Sequence, residues 1–135
     1  MRRRLALAMV LAALIPLGLA TKFYAGPAAA WMRGSAGGVL YVMFFVLLIT
    51  CFRPTPRTLG WATVGVFVAT CLLEVTQRWR PPVLEAIRAT FLGRSLIGST
   101  FSWMDFPHYL AGALLGWLIG RQLVRTAEPQ HGKRR

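Results

Sequence analysis

The sequence predicts an all-α, polytopic membrane protein of one domain, with four transmembrane helices and an interfacial helix between the third and the fourth. Three observations carry that prediction. First, 56% of the 135 residues are hydrophobic and the mean hydropathy is +0.52, too apolar for a water-soluble domain of this length. Second, the apolar residues are gathered into runs close to the ~20 residues that a helix needs to cross the hydrocarbon core. Third, the basic residues behind a formal net charge of +12 sit at the ends of those runs. Arg2, Arg3 and Arg4, Arg53 and Arg57, then Arg121, Arg125, Lys133, Arg134 and Arg135 are so placed that they orient helices and meet anionic headgroups. A nucleic-acid partner, which would want a basic face on a soluble domain, is not indicated.

The first span is expected over residues 5–24. Its basic start and Gly18-Leu19-Ala20 also fit a cleavable signal, but the run continues through Lys22 to Tyr24 and favours an uncleaved anchor. Gly26-Pro27 should end it, with Phe23, Tyr24 and Trp31 at the interface. Residues 28–33 suit a short surface helix that Gly34 stops. The second span is expected over residues 35–52, where Gly37 and Gly38 permit close helix approach and Tyr41 can reach a polar neighbour. Arg53-Pro54-Thr55-Pro56-Arg57 forces a turn, since prolines so close together cannot continue a helix.

The third span is expected over residues 58–79. At 100° per residue, Thr63, Thr70, Glu74 and Gln77 fall within about 60° of one another, a polar stripe that should face protein. Residues 83–92 place Leu84, Ile87 and Phe91 on one side and Glu85 and Arg88 on the other, which predicts the interfacial helix, with Gly93 at its stop. Arg94 to Ser102 then returns the chain to the membrane. The fourth span is expected over residues 105–124, with Gly112, Gly116 and Gly120 spaced for close helix packing on the side that also carries Asp105 and Tyr109. Residues 125–135 form a polar, basic tail. With four spans, ten of the sixteen Lys and Arg residues fall on the side of both termini and six on the other, which predicts cytoplasmic termini.

Glu74 is the residue hardest to treat as scaffolding, because a carboxylate inside an apolar span is costly unless paired or hydrated. It stands near the end of one span and Asp105 at the start of the next, so the two belong at one membrane face. Gln77 lies one turn from Glu74 and Tyr109 one turn from Asp105. The modest reading makes Asp105 the N-cap of the fourth helix and Glu74 the partner of Arg88, Arg78 or Tyr109. The functional reading makes Glu74, Gln77, Arg88, Asp105 and Tyr109 a ligand-binding polar centre, with Arg78, Arg94 and His108 as secondary contributors. His108 is more simply an interfacial helix-end residue than a metal ligand, and no metal set or cofactor motif is present. Cys51 and Cys71 form no CxxC pair, and their different depths argue against a disulfide. Ser95, Ser99 and Ser102 lack a nucleophile-elbow context, so an enzymatic reading would fall back on Glu74 or Asp105 as a general base without a nucleophile.

These residues resemble a family of small bacterial membrane proteins known as domain of unknown function 2809, over about residues 19–120. The likeness rests on Thr21-Lys22-Phe23-Tyr24 with Gly26-Pro27 and Trp31, on Gly37-Gly38-Val39-Leu40-Tyr41, and on Leu73-Glu74 with Gln77 and Pro81-Pro82. It continues through Ile87-Arg88, Thr90-Phe91-Leu92-Gly93, Phe101, Trp103-Met104-Asp105-Phe106-Pro107, Tyr109, Gly112 and Gly116-Trp117. The spacing of Glu74, Gln77, Asp105, Gly112 and Gly116 is also similar to the broader VanZ-like group at the cell envelope. Tyr109 stands where that group is expected to carry Asn, and the arginine-rich link is rearranged. The resemblance implies a compact helical domain with its polar centre at Glu74, Gln77, Arg88 and Asp105, and no particular reaction.

Two functions follow as expectations. One is a protein of the bacterial inner membrane that binds a lipid or envelope-precursor headgroup at the polar centre, with membrane lipids as its partners. The other is an accessory or assembly subunit whose glycine ridge and interfacial helix pack against a partner membrane protein.

Overall fold

The computed structural model describes residues 1–97 and 101–126, and every regular element among them is helical. The expected tail beyond residue 126, and Ser99, lie outside the described residues. Helix α1 (Arg2–Phe23) begins earlier than the apolar run because arginine is itself a good helix former. Arg3 and Arg4 then donate to the Pro54 and Phe52 carbonyls at 3.5 and 3.1 Å, tying the start of α1 to the turn that follows the second rod. Leu7, Leu11 and Leu14, at helical spacing, pack on Met43 and Leu47.

The separate surface helix expected over residues 28–33 does not form. Helix α2 (Ala29–Trp31) runs through a π-helical turn at Met32–Ala36 into α3 (Gly37–Phe52), giving one continuous rod of 24 residues. Gly34 is absorbed by the π turn, in which the Gly37 N–H reaches the Met32 carbonyl, so the glycine loosens the helix without ending it. The wider turn sets Gly37 against Thr21 and Gly38 against the ring of Tyr109.

Helix α4 (Pro56–Thr76) opens with Pro56 in its first turn and the Thr55 hydroxyl accepting from the Thr58 N–H at 3.1 Å. It ends at Thr76, before the expected 79. Its buried face is Leu59, Ala62, Val66, Thr70 and Glu74, apolar at one end and polar at the other. The interfacial helix expected over residues 83–92 is two short helices, α5 (Pro82–Arg88) and α6 (Phe91–Ile97). Thr90 is responsible: its hydroxyl accepts from the Gly93 N–H at 3.0 Å and starts a new helix. Gly93 is therefore inside α6 and is no stop; a Cβ there would overlap the Ile87 carbonyl oxygen.

Helix α7 (Asp105–Arg125) closes the bundle. The central rod is α3, which packs against α1, α4 and α7. Among the described residues, three helices are long and apolar enough to cross a membrane: Arg2–Phe23, Ala29–Phe52 and Pro56–Thr76. With 21 residues, α7 spans about 30 Å, but polar residues at both ends dilute its apolar character.

Because lipid chains are as apolar as leucine side chains, burial of leucine does little to hold such helices together; close packing and polar bonds must do it. The glycines of α7 supply the first. Gly112 lies so near α3 that a Cβ would stand 2.5 Å from the Val39 carbonyl oxygen, and at Gly116 it would stand 3.2 Å from the Val46 Cβ. At Gly120 the nearest atom is the Leu59 Cδ1 of α4, at 2.6 Å. The ridge is thus filled from within the chain, and the surface expected to receive a partner helix is occupied by α3 and α4.

Candidate functional site

The polar bonds gather at one end of the bundle, where α4 finishes and α7 begins. Glu74 is 1% exposed. Its Oε1 accepts from the Ser102 backbone N–H at 2.8 Å and its Oε2 from the Tyr109 hydroxyl at 2.6 Å, so one side chain stitches α4 to α7 and to the segment leading into it. Tyr109 reaches Glu74 by lying across Gly38, where a Cβ would stand 2.9 Å from its ring. Close approach of α3 and α7 and pairing of the buried acid are therefore one geometric condition.

Asp105 is the first residue of α7 and makes no capping bond; Met104 holds the cap position. The N-cap reading is corrected accordingly. Its carboxyl is instead close enough to Glu74, His108 and Lys22 to interact with them electrostatically. Lys22, at the end of α1, stands beside Gly37. His108 donates from Nδ1 to the Met104 carbonyl at 2.6 Å and meets Trp31 edge-on, which occupies it at the helix end.

The remaining expected residues serve the connection between α4 and α7. Helix ends leave carbonyls without partners, and here side chains supply them. Gln77 Nε2 donates to the Ile97 carbonyl at 2.9 Å and the Tyr41 hydroxyl to the Leu96 carbonyl at 3.0 Å, fixing the end of α6 to the bundle. Arg88, 6% exposed, donates to the carbonyls of Thr76 and Trp79 and to Glu85 Oε1, the last at 3.1 Å. The pairing of Arg88 or Arg78 with Glu74 is replaced by the Tyr109 bond, and Arg78 lies over the Phe101 ring. Among the described residues, two buried side-chain atoms keep unused bonding capacity, Gln77 Oε1 and Arg88 Nε.

Asp105, Tyr109 and Glu74 are thus brought together, whereas Gln77, Arg88 and Arg94 lie along the α4–α7 connection. Sequence reasoning passed over Lys22, Tyr41 and the Ser102 N–H as members of this end. Lys22 and Tyr41 carried a signal, being polar residues at the ends of apolar runs. The Ser102 bond comes from backbone and has no side-chain signature.

The fold and its polar end define a helical membrane protein with a buried acid centre. The chain belongs to the family described as protein of unknown function (DUF2809), whose model matches residues 28–113, well over half of the sequence and inside the limits expected from the motifs. No curated protein and no solved structure matches it.

Proposed function

We propose that this is a four-span protein of the bacterial inner membrane that binds a lipid or envelope-precursor headgroup at the end of the bundle where α4 meets α7. The observation that carries the reading is a 1%-exposed carboxylate, Glu74, paired by Tyr109 with Asp105 at hand, at the end of the bundle that also carries an arginine-lined cavity. An acid held at such depth is expensive, and residues of this kind commonly mark ligand or ion paths. The length of α7 and its placement against both α3 and α4 support its counting as the fourth span. Of the two surfaces in the accessory-subunit reading, the glycine ridge faces α3 and α4, so that reading falls back on the segment of α5 and α6.

Purified protein is expected to retain co-extracted native lipid, seen by mass spectrometry, and Glu74→Gln or Asp105→Asn to lose most of it. Unchanged retention in both variants, and in Arg88→Ala, overturns the headgroup reading. The charge balance supports cytoplasmic termini. A reporter fused after Arg125 is expected to be active only there; activity confined to the other side reverses the orientation and puts the polar end on the cytoplasmic face.

A further inference from the structure

Along the connection from α4 to α7, α5, α6 and the residues flanking α5 line an open cavity of about 300 Å³ made by Arg80, Glu85, Arg88, Ala89 and Arg94. Its volume is at the small end of ligand sites, enough for a headgroup and too little for a whole lipid. Three guanidinium groups against one carboxylate leave a positive excess in a partly enclosed space. Their functions differ. Arg88 is 6% exposed and anchored to the Thr76 and Trp79 carbonyls, so it is a fixed wall, and its buried Nε has no partner. Arg80 and Arg94 are exposed at the mouth of the cavity, where a ligand can reach them. Glu85 lies 3.1 Å from Arg88 and 3.8 Å from Arg80 and competes with any incoming anion for both.

The same two helices expose Val83, Ile87, Phe91 and Leu92. A site for a small soluble anion has no use for such apolar neighbours, whereas a lipid brings acyl chains to lie against them. Guanidinium groups match the oxygens of a phosphate ester in charge and geometry.

We infer that the cavity between α5 and α6 takes the phosphate of a phospholipid headgroup, with Arg94 and Arg80 as the contacting groups and Arg88 as the fixed wall. The inference rests on the headgroup reading above and narrows it to a phosphate ester. Glu85 sets the affinity by occupying the arginines when the site is empty.

The test uses the full chain in a phosphate-free detergent, followed by native mass spectrometry with phosphatidylglycerol, with diacylglycerol as its phosphate-free counterpart, and with glycerol 3-phosphate as the soluble source. Phosphatidylglycerol is expected to bind and diacylglycerol not to. Arg94→Gln is expected to weaken phosphatidylglycerol by about fivefold or more, the loss of one charge-assisted contact, and Glu85→Gln to tighten it by about threefold. The opposite signs separate a binding role from simple damage to the fold. Equal binding of diacylglycerol, which carries no headgroup, overturns the phosphate assignment and the headgroup reading together, whereas a preference for phosphatidylglycerol that neither variant alters overturns the cavity assignment alone. Glycerol 3-phosphate binding as tightly as the lipid overturns the lipid source. No binding of any probe, or an Arg94→Gln variant and a Glu85→Gln variant that both match the parent protein, overturns the inference outright.

Discussion

Gly112→Ala is expected to destabilise the protein by about 3 kcal/mol, more than any other single methyl group added to the described glycines of α7. The added Cβ would stand 2.5 Å from the Val39 carbonyl oxygen and 3.1 Å from the Val39 Cα and carbonyl carbon. These are backbone atoms of the central rod, so no rotamer change relieves the overlap; α3 and α7 must separate. Separation also draws Tyr109 off Gly38 and away from Glu74, so packing and the polar bond fail together. The other glycines provide an internal scale. Gly120→Ala meets the Leu59 Cδ1, the far end of a flexible side chain, and should cost less. Gly116→Ala, with its nearest neighbours at 3.2 and 3.3 Å, should be intermediate. Gly65→Ala meets nothing within 4 Å and should gain up to about 1 kcal/mol from helix propensity. Thermal unfolding in detergent ranks the four. A Gly112→Ala protein as stable as Gly65→Ala would mean that α3 and α7 do not pack as closely as described.

That ranking separates what the sequence made legible from what it did not. A four-residue glycine spacing in an apolar helix announces close packing but is silent about the partner, because the pattern describes one surface and its complement lies elsewhere in the chain. Only with α3 placed against it does the ridge become internal. The buried side of α4 was legible for the opposite reason: Thr63, Thr70, Glu74 and Gln77 share a face by helical periodicity alone, and all but the half-buried Thr63 are buried. Pairing within that face was harder to read. Arg88 was an apparent counterion for Glu74, yet the carbonyls at the end of α4 and in the following turn claim its guanidinium. Charge suggested one partner, and the unmet bonding needs of the chain after a helix end decided another.

The connection from α4 to α7 was the least legible part, and the failure has a local cause. Residues 83–92 have an amphipathic pattern that runs straight through Thr90, and Gly93 resembles a terminator placed after it. Helix capping outweighed both: the Thr90 hydroxyl bonds to the Gly93 N–H, and two short helices result where one was expected. The fold back between them creates the cavity. In a continuous helix Arg94, nine residues on from Glu85, would have faced the opposite side from it.

Glu74 offers the sharpest separation of structural from functional roles, since two substitutions remove different things. Glu74→Ala deletes both acceptors, leaving the Ser102 N–H and the Tyr109 hydroxyl without partners at a buried site, and is expected to cost about 4 kcal/mol. Glu74→Gln keeps one oxygen for the Ser102 N–H and offers an amide N–H to the Tyr109 oxygen, so its cost should stay near 1 kcal/mol while the acid is gone. Tyr109→Phe removes the donor alone, and a double-mutant cycle with Glu74→Gln should show coupling, because both changes act on one bond. If Glu74 is only a lock between α4 and α7, the glutamine variant melts near the parent protein and retains lipid as the parent does. If the acid also serves a headgroup, the same variant melts near the parent and loses its lipid. An alanine variant as stable as the parent would contradict both, since it would mean that the two bonds drawn to Glu74 do not hold the bundle end together.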